Sequence, residues 1–333
     1  MKGVLLCGDI ISDSRLKPII YSVSRSMIPI ANVPFIEYLI KQMVECGIDN
    51  IAIVVGEGKQ DFELYFKNGK DFGCRIRYYR QHKNTGLAGQ LLCIKHFVDD
   101  DNFFVAQGNV FIDFKMEQYL KQFKKEKCDG LLLTKEIEKP WKHDIAIFEK
   151  GKLIEIIKKP KITNSKTALT GIYIFTPAIL RAASKIRPSK RGEYEITDAI
   201  QYLIDREYKI STMDMDDGTW IDASRDSDLL ECNKYVLSKI DGKSKIDEDS
   251  KIENSIIGDY TSVGKRCSIK NAVISNCIIM NDCIIDGVEM KDCIIGEYST
   301  IIGNGCISGI MGPKTKIYLT PSLTDEKEKD EYI

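Results

Sequence analysis

Residues able to do phosphate chemistry stand close together at the start of the chain. Gly8 ends the apolar run Gly3-Val4-Leu5-Leu6-Cys7 and opens a polar stretch with Asp9, Ser12, Asp13, Ser14 and Arg15; Met27-Ile28-Pro29-Ile30 follows. A short buried strand that breaks at glycine into a loop is where a parallel α/β sheet presents a nucleotide. Other reactive groups offer less. The 11 cysteines are dispersed through apolar runs such as Cys293-Ile294-Ile295, and no C-x-x-C pair occurs. That excludes a zinc or thiol-redox motif and predicts reduced, buried thiols in a cytoplasmic protein.

The loop needs a scaffold, and the next stretches supply one. Phe35, Ile36, Leu39, Ile40, Met43 and Val44 form a helical stripe closed by Gly47. Ile51-Ala52-Ile53-Val54-Val55 is continuous enough for a buried strand, and 75–79 and 103–106 read the same way. Residues 87–97 read as one helix, 131–134, 145–148, 153–157 and 169–175 as strands, and 195–205 and 227–238 as helices. Such alternation predicts βαβ units and a mostly parallel sheet, Rossmann-like in class, over residues 1–240.

From Lys245 the pattern changes. Ile246, Ile252, Ile257, Val263, Ile269, Ile274, Ile279, Ile285, Met290, Ile295, Ile301 and Ile307 recur at steps of 5 or 6 residues, three of them followed directly by glycine. This period predicts a left-handed parallel β-helix of hexapeptide repeats over 241–311, with roughly four coils. Residues 312–333, with the run Asp325-Glu326-Lys327-Glu328-Lys329-Asp330, read as a charged, solvated tail.

Together these segments resemble the sugar-1-phosphate nucleotidyltransferases, in particular long-form glucose-1-phosphate thymidylyltransferases. The likeness is carried by Met1-Lys2-Gly3, Ile28-Pro29-Ile30-Ala31-Asn32-Val33-Pro34, Asn50 to Gly56, Gln81 with Gly86-Leu87-Ala88, Lys158-Lys159-Pro160, Arg191 to Asp198, Trp220-Ile221-Asp222 and Asn254 to Gly264. It implies attack of a sugar-1-phosphate oxygen on the α-phosphorus of a nucleoside triphosphate, with pyrophosphate leaving. Such a reaction needs positioning and neutralised charge more than covalent help. The resemblance assigns catalysis to Arg15, Arg25 and Asp222, and nucleotide binding to Gly8, Gln81, Gly86 and Leu87. It assigns the sugar phosphate to Lys159, Gly171 and Glu195, and Mg²⁺ to Asp222 with Asn109.

Several of these positions depart from the pattern. Asn109 stands for the second metal aspartate, and an amide oxygen is a chargeless ligand for a hard cation. Arg25 stands for a lysine, Lys158 for an acid, and His143-Asp144 for Tyr-Gly. Asp9 and Asp13 bring negative charge to the loop and offer themselves as substitute metal ligands. Two readings follow: a working transferase with a remodelled site, or a weak or inactive paralog that binds nucleotide or sugar nucleotide and regulates or assembles with an active relative. A hexapeptide-repeat acyltransferase is excluded, because His82, His96 and His143 all precede the repeats. Charged residues make up 29% of the chain with a net charge of -1, which gives no footprint for nucleic acid or membrane. The repeat domain is expected to form a homo-oligomer.

Overall fold

The computed structural model describes residues 1–8, 16–21, 23–56, 59–81, 85–215 and 218–319. In chain order, β1 (Lys2–Cys7) precedes a hairpin of β2 (Pro29–Ile30) and β3 (Val33–Pro34). α1 (Phe35–Glu45), β4 (Asn50–Val55), α2 (Lys59–Phe66), β5 (Arg75–Arg80), α3 (Gly86–Cys93) and α4 (Lys95–Val98) follow. Next come β6 (Phe103–Gln107), β7 (Val110–Asp113), α5 (Glu117–Glu126), β8 (Gly130–Glu136), β9 (Ile145–Glu149), β10 (Lys152–Ile157) and β11 (Thr167–Phe175). α6 (Ala178–Ala183), α7 (Ile196–Ile204), β12 (Ile210–Asp214), β13 (Thr219–Asp222) and α8 (Asp226–Leu237) lead to short strands from β14 (Lys245–Ile246) to β23 (Lys316–Leu319).

The helix expected over 87–97 is two helices. Ile94 stands between them at φ -102° and ψ 12°, its N–H turned to Leu91 and Leu92, so the ladder breaks after Cys93. Two packing units emerge, and they do not follow one cut in sequence. Residues 1–8, 24–27 and 35–222 cluster in the first; 16–21, 23, 28–34 and 223–319 cluster in the second.

The first unit is built on a sheet ordered β10-β9-β11-β6-β1-β4-β5, with β8 added on β11 and β12 on β8. β1 runs parallel to β4 and β6, and β4 parallel to β5, so their carboxyl ends share one edge. β11 runs antiparallel to β6, β8 and β9. Val4, Leu5, Ile51 to Val55 and Phe103 to Ala106 are buried, as runs covered on both faces must be. Ala88 and Leu91 of α3 and Ala199, Ile200 and Leu203 of α7 pack in this core. Gly8, Gly56 and Gln107 therefore sit at the edge where an α/β sheet offers its crevice.

In the second unit the apolar residues spaced by 5 or 6 stack in three columns. Ile246 pairs with Val263, Val263 with Ile279, Ile279 with Ile295 and Ile295 with Met311. Ile252, Ile269, Ile285, Ile301 and Ile317 form the second column, and Ile257, Ile274, Met290 and Ile307 the third. Every pairing is parallel, an arrangement compatible with the coils of a β-helix. The last strand runs past residue 311, and 320–333 lie outside the described residues.

Segments from the start of the chain belong to this same unit. Leu16 and Ile19 are fully buried, and a side chain on Gly312 would come within 2.9 Å of Pro18 Cβ and 3.0 Å of its carbonyl oxygen. The turn between β2 and β3, with Ala31 at φ 48° and Asn32 at φ 63°, is held from α8. Asn233, with no exposed surface, accepts the Ala31 N–H at 2.8 Å and donates to the Tyr260 carbonyl at 2.9 Å. Asn32 donates to the Val263 carbonyl at 2.7 Å. Asn233→Ala strands a buried N–H and a half-buried carbonyl, and is expected to cost about 2–3 kcal/mol and lower the thermal midpoint by roughly 5–10 °C. An unchanged midpoint in a calorimetric scan would remove the network from the fold's stability.

Candidate functional site

At the carboxyl end of β1, Gly8 is gripped by a glutamine of α3. Gln90 Oε1 accepts the Gly8 N–H at 3.0 Å, and its Nε2 donates to the Gly8 carbonyl at 3.2 Å. Gln81 also abuts Gly8, its Oε1 2.4 Å from where a side chain would stand, and donates from Nε2 to Thr85 Oγ1 at 2.7 Å. Both glutamines are buried. Gly86 opens α3 at φ 73°, where a side chain would meet the Tyr194 carbonyl at 2.6 Å; Ala88 N–H donates to that carbonyl at 2.9 Å. Gly8, Gln81, Gly86 and half-buried Leu87 are thus brought together. Gln90 was not among the expected residues. Its signal was available: one glutamine inside Leu87 to Cys93, an otherwise apolar turn that buries it, needs a partner.

Asp222, at the end of β13, pairs in register with Val110 of β7, and that register sets it beside Asn109. Asn109 Nδ2 donates to Asp222 Oδ1 at 2.7 Å. Turning the amide over would set oxygen against a carboxylate, so this orientation is the favourable one. His143 Nδ1 is 3.8 Å from Asp222 Oδ2, and the imidazole lies against Trp220 with ring centroids 5.1 Å apart. The Trp220 indole donates to the Thr170 carbonyl at 2.9 Å, fixing the strand that carries Asp222. His143 is thus a neighbour of the Asp222 carboxylate, a contact its place in the sequence does not reveal.

The expected Mg²⁺ ligands Asp222 and Asn109 are brought together, with the Asn109 N–H given to the carboxylate. A hard cation is held by one or two carboxylates together with substrate phosphates and waters, so Asp222 would be its one charged protein ligand among the residues described here. Asp222 already accepts from Asn109, which presents an N–H rather than an oxygen, and among the described residues no three His, Cys, Asp or Glu converge. Arg25 is half-buried on a single 3-10 turn, Arg25–Met27. Arg15, Asp9 and Asp13 lie outside the described residues.

The third group surrounds the turn after β10. Lys159 is exposed at φ 38°, in the left-handed region, and Pro160 behind it is buried. Lys158 Nζ reaches Asp198 at 2.9 Å and Glu195 at 3.7 Å. Glu195 precedes the first turn of α7 without a side-chain capping hydrogen bond, and accepts from Arg191 Nη2 at 2.9 Å. Gly171 sits in a bulge of β11 at φ 82°, where a side chain would come within 3.1 Å of Gln107 and Val110. Lys159 and Glu195 belong to this group, while Gly171 stands against Gln107 and Val110. An acid that was not expected here, Asp144, faces Lys159, Lys158 and Glu195.

Burial pushes the Asp144 carboxyl above the usual carboxylate range and Glu195 adds to this, while Lys159, Lys158 and the Lys159 N–H pull it back. A raised folded value means that the stability from this group is fully present in acid and is lost as pH rises through that value. Asp144→Asn is therefore expected to raise the thermal midpoint at neutral pH, with the gain vanishing below the carboxylate range. A gain independent of pH would assign the effect to something other than this ionisation.

No helix among the described residues is long and apolar enough to cross a membrane. The Nucleotidyl transferase family model matches residues 2–239. The low-salt glycan biosynthesis nucleotidyltransferase Agl11 of Haloferax volcanii is 30% identical over 311 residues, spanning 83% of this chain and 86% of that protein. A glucose-1-phosphate thymidylyltransferase of Streptomyces griseus is 28% identical over 82% of this chain and 85% of its own. A UDP-glucose pyrophosphorylase crystallised with UDP-glucose superposes with a TM-score of 0.63 at 23% identity, covering 72% of this chain and 100% of that one, a likeness of fold. A family model over residues 2–239, and a relative 30% identical across most of both chains, lead to one assignment: the chain belongs to the nucleotidyl transferase family, among the sugar-1-phosphate nucleotidyltransferases.

Proposed function

We propose that the chain transfers a nucleotidyl group from a nucleoside triphosphate to a sugar 1-phosphate. The sugar-phosphate oxygen bonds to the α-phosphorus, the bond from that phosphorus to the bridging α–β oxygen breaks, and pyrophosphate leaves. The observation that carries this reading is the pairing of a base-side cradle, Gly8 with Gln81 and Gln90, and a basic turn at Lys158-Lys159 in one unit. Gln81 and the start of α3 hold the base, Lys159 the sugar phosphate, Glu195 and Gly171 the sugar, and Arg15 and Arg25 the triphosphate. The thymidylyltransferase relative supports glucose 1-phosphate and a thymidine nucleotide as first substrates to try.

One observation favours a second reading. The Asn109–Asp222 hydrogen bond occupies the carboxylate that a metal would need. A chain built so binds nucleotide or sugar nucleotide, turns over weakly, and serves as a regulatory or assembly partner of an active relative. The stacked strands of the second unit support a left-handed β-helix that joins copies of the chain or such a relative.

The test is pyrophosphate release by the purified chain with Mg²⁺, each nucleoside triphosphate and a panel of sugar 1-phosphates. Robust release removes the second reading. Nucleotide binding without release, measured by calorimetry, removes the first.

A further inference from the structure

The two carboxylate oxygens of Asp222 have different neighbours. Oδ1 accepts the Asn109 amide at 2.7 Å. Oδ2 faces the imidazole of His143, whose Nδ1 is 3.8 Å away. That separation is longer than an N–H···O hydrogen bond, which closes to about 2.7–3.2 Å. It is also a span that one transition-metal ion can bridge, since its bonds to imidazole nitrogen and to carboxylate oxygen are each about 2.0–2.2 Å long.

Both donors are held from outside. His143 follows the 3-10 turn Pro140–Lys142, is extended at φ -129° and ψ 164°, and gives its N–H to the Pro140 carbonyl at 3.1 Å. Its ring lies against Trp220, with centroids 5.1 Å apart and planes at 57°. The Trp220 indole is tied in turn to the Thr170 carbonyl. Asp222 is placed by the register of β13 on β7 and aimed by Asn109. Carboxylates that ligate metals are themselves hydrogen-bonded, because the outer bond sets the direction of the ligand. The Asn109 contact therefore closes Oδ1 and directs Oδ2. The His143 and Asp222 side chains are 19% and 29% exposed, so the pair is sheltered and still within reach of solvent.

The donor types decide which ion suits them. Mg²⁺ and Ca²⁺ take oxygen ligands, whereas imidazole nitrogen suits Zn²⁺, Ni²⁺ and related transition ions. With an amide at 109, the second strong donor beside Asp222 is a nitrogen. We propose that His143 Nδ1 and Asp222 Oδ2 form a two-donor site for a divalent transition ion of the Co²⁺ or Zn²⁺ class, in preference to Mg²⁺. Two protein donors leave the remaining positions to water and to triphosphate oxygens. That last role rests on the proposed nucleotidyl transfer; the binding of the ion does not.

Titration of the full-length protein with Co²⁺ and with Mg²⁺, in the absence of nucleotide, tests the site. Calorimetry is expected to find Co²⁺ bound at least about tenfold more tightly than Mg²⁺. His143→Gln keeps a side chain of similar size against Trp220 and is expected to weaken Co²⁺ binding about tenfold or more, with Mg²⁺ little changed. Asp222→Asn removes the other donor and is expected to give at least the same loss, so the outcome does not hang on one variant. A spectroscopic readout needs no variant titration: the chain has 3 histidines, His82, His96 and His143, and paramagnetic Co²⁺ is expected to shift the imidazole proton signal that His143→Gln deletes. Equal affinity for the two ions overturns the site, as does Co²⁺ binding that both variants leave unchanged. A shift confined to His82 or His96 overturns it too. Pyrophosphate release with Mg²⁺ but no His143-dependent Co²⁺ binding overturns the site and leaves the transfer reading standing. Co²⁺ bound as expected, with no release in its presence or with Mg²⁺, supports the site and overturns the transfer reading.

Discussion

Asn109→Asp is expected to make both stability and turnover respond to Mg²⁺. In the wild type the Asn109 amide donates to Asp222 at 2.7 Å, which satisfies the carboxylate without a cation. An aspartate at 109 puts two like charges side by side. At about 4 Å and an effective dielectric of 20 their repulsion is about 4 kcal/mol, and less where solvent screens it. Asp222 is 29% exposed, so about 2 kcal/mol is a fair expectation for the loss without metal. Mg²⁺ bridging the pair offsets that loss, because paired oxygens are the donors it seeks. The variant's thermal midpoint should therefore fall without Mg²⁺ and recover with it, while the wild type stays indifferent. Pyrophosphate release should rise by at least about tenfold, roughly 1.4 kcal/mol of barrier. Indifference of the variant to Mg²⁺ would sink the idea that the amide is what keeps metal out. A metal-sensitive midpoint with no gain in release would place the remaining defect in the Asp9–Asp13 stretch.

Gly8→Ala carries the second large expectation, a loss of nucleotide affinity. The new methyl would stand 2.4 Å from Gln81 Oε1 and 2.8 Å from Gln90 Cδ. Neither glutamine can simply swing aside. Gln90 holds both backbone groups of Gly8, and Gln81 is bonded to Thr85 in buried surroundings. Relief has to come from moving the start of α3 or breaking the chelate, at about 2–3 kcal/mol. That is a rise of roughly 30- to 150-fold in the nucleotide dissociation constant. Sugar 1-phosphate affinity should hardly change, since Lys159 and Glu195 lie on other strands and turns. Titration calorimetry that finds nucleotide binding intact in Gly8→Ala would show the cradle is not where the base side sits.

How much of this could be read beforehand depended on whether the signal was periodic. The three columns of the second unit were visible residue by residue, because stacking at a fixed offset leaves the same apolar letter every 5 or 6 positions. Buried strands such as 51–55 were equally plain. The helix over 87–97 misled, since its apolar stripe runs through Ile94 while the backbone does not. In the site, motif residues could be placed by resemblance, but their partners could not. Gln90 meets Gly8 across 82 positions and Asn109 meets Asp222 across 113, distances over which spacing carries no information. Asp144 was hidden for another reason. It replaces a glycine, and only the path of the chain reveals that the added carboxylate comes to face Lys159, Lys158 and Glu195.

The assignment of residues 16–21 and 28–34 to the second unit alters what can be cut or swapped in this protein. Within its first 35 residues the chain changes unit four times, and residues 24–27, with Arg25, are a short tether between two stretches that pack elsewhere. Fragments ending near residue 240 would keep the family's matching region yet take Gly312 from Pro18 and the Val263 carbonyl from Asn32. The repeat strands are therefore no detachable appendage. Gene fusions, domain exchanges and shortened expression products that treat residue 240 as a seam would loosen residues 16–21 and 28–34, which cluster with the residues beyond it.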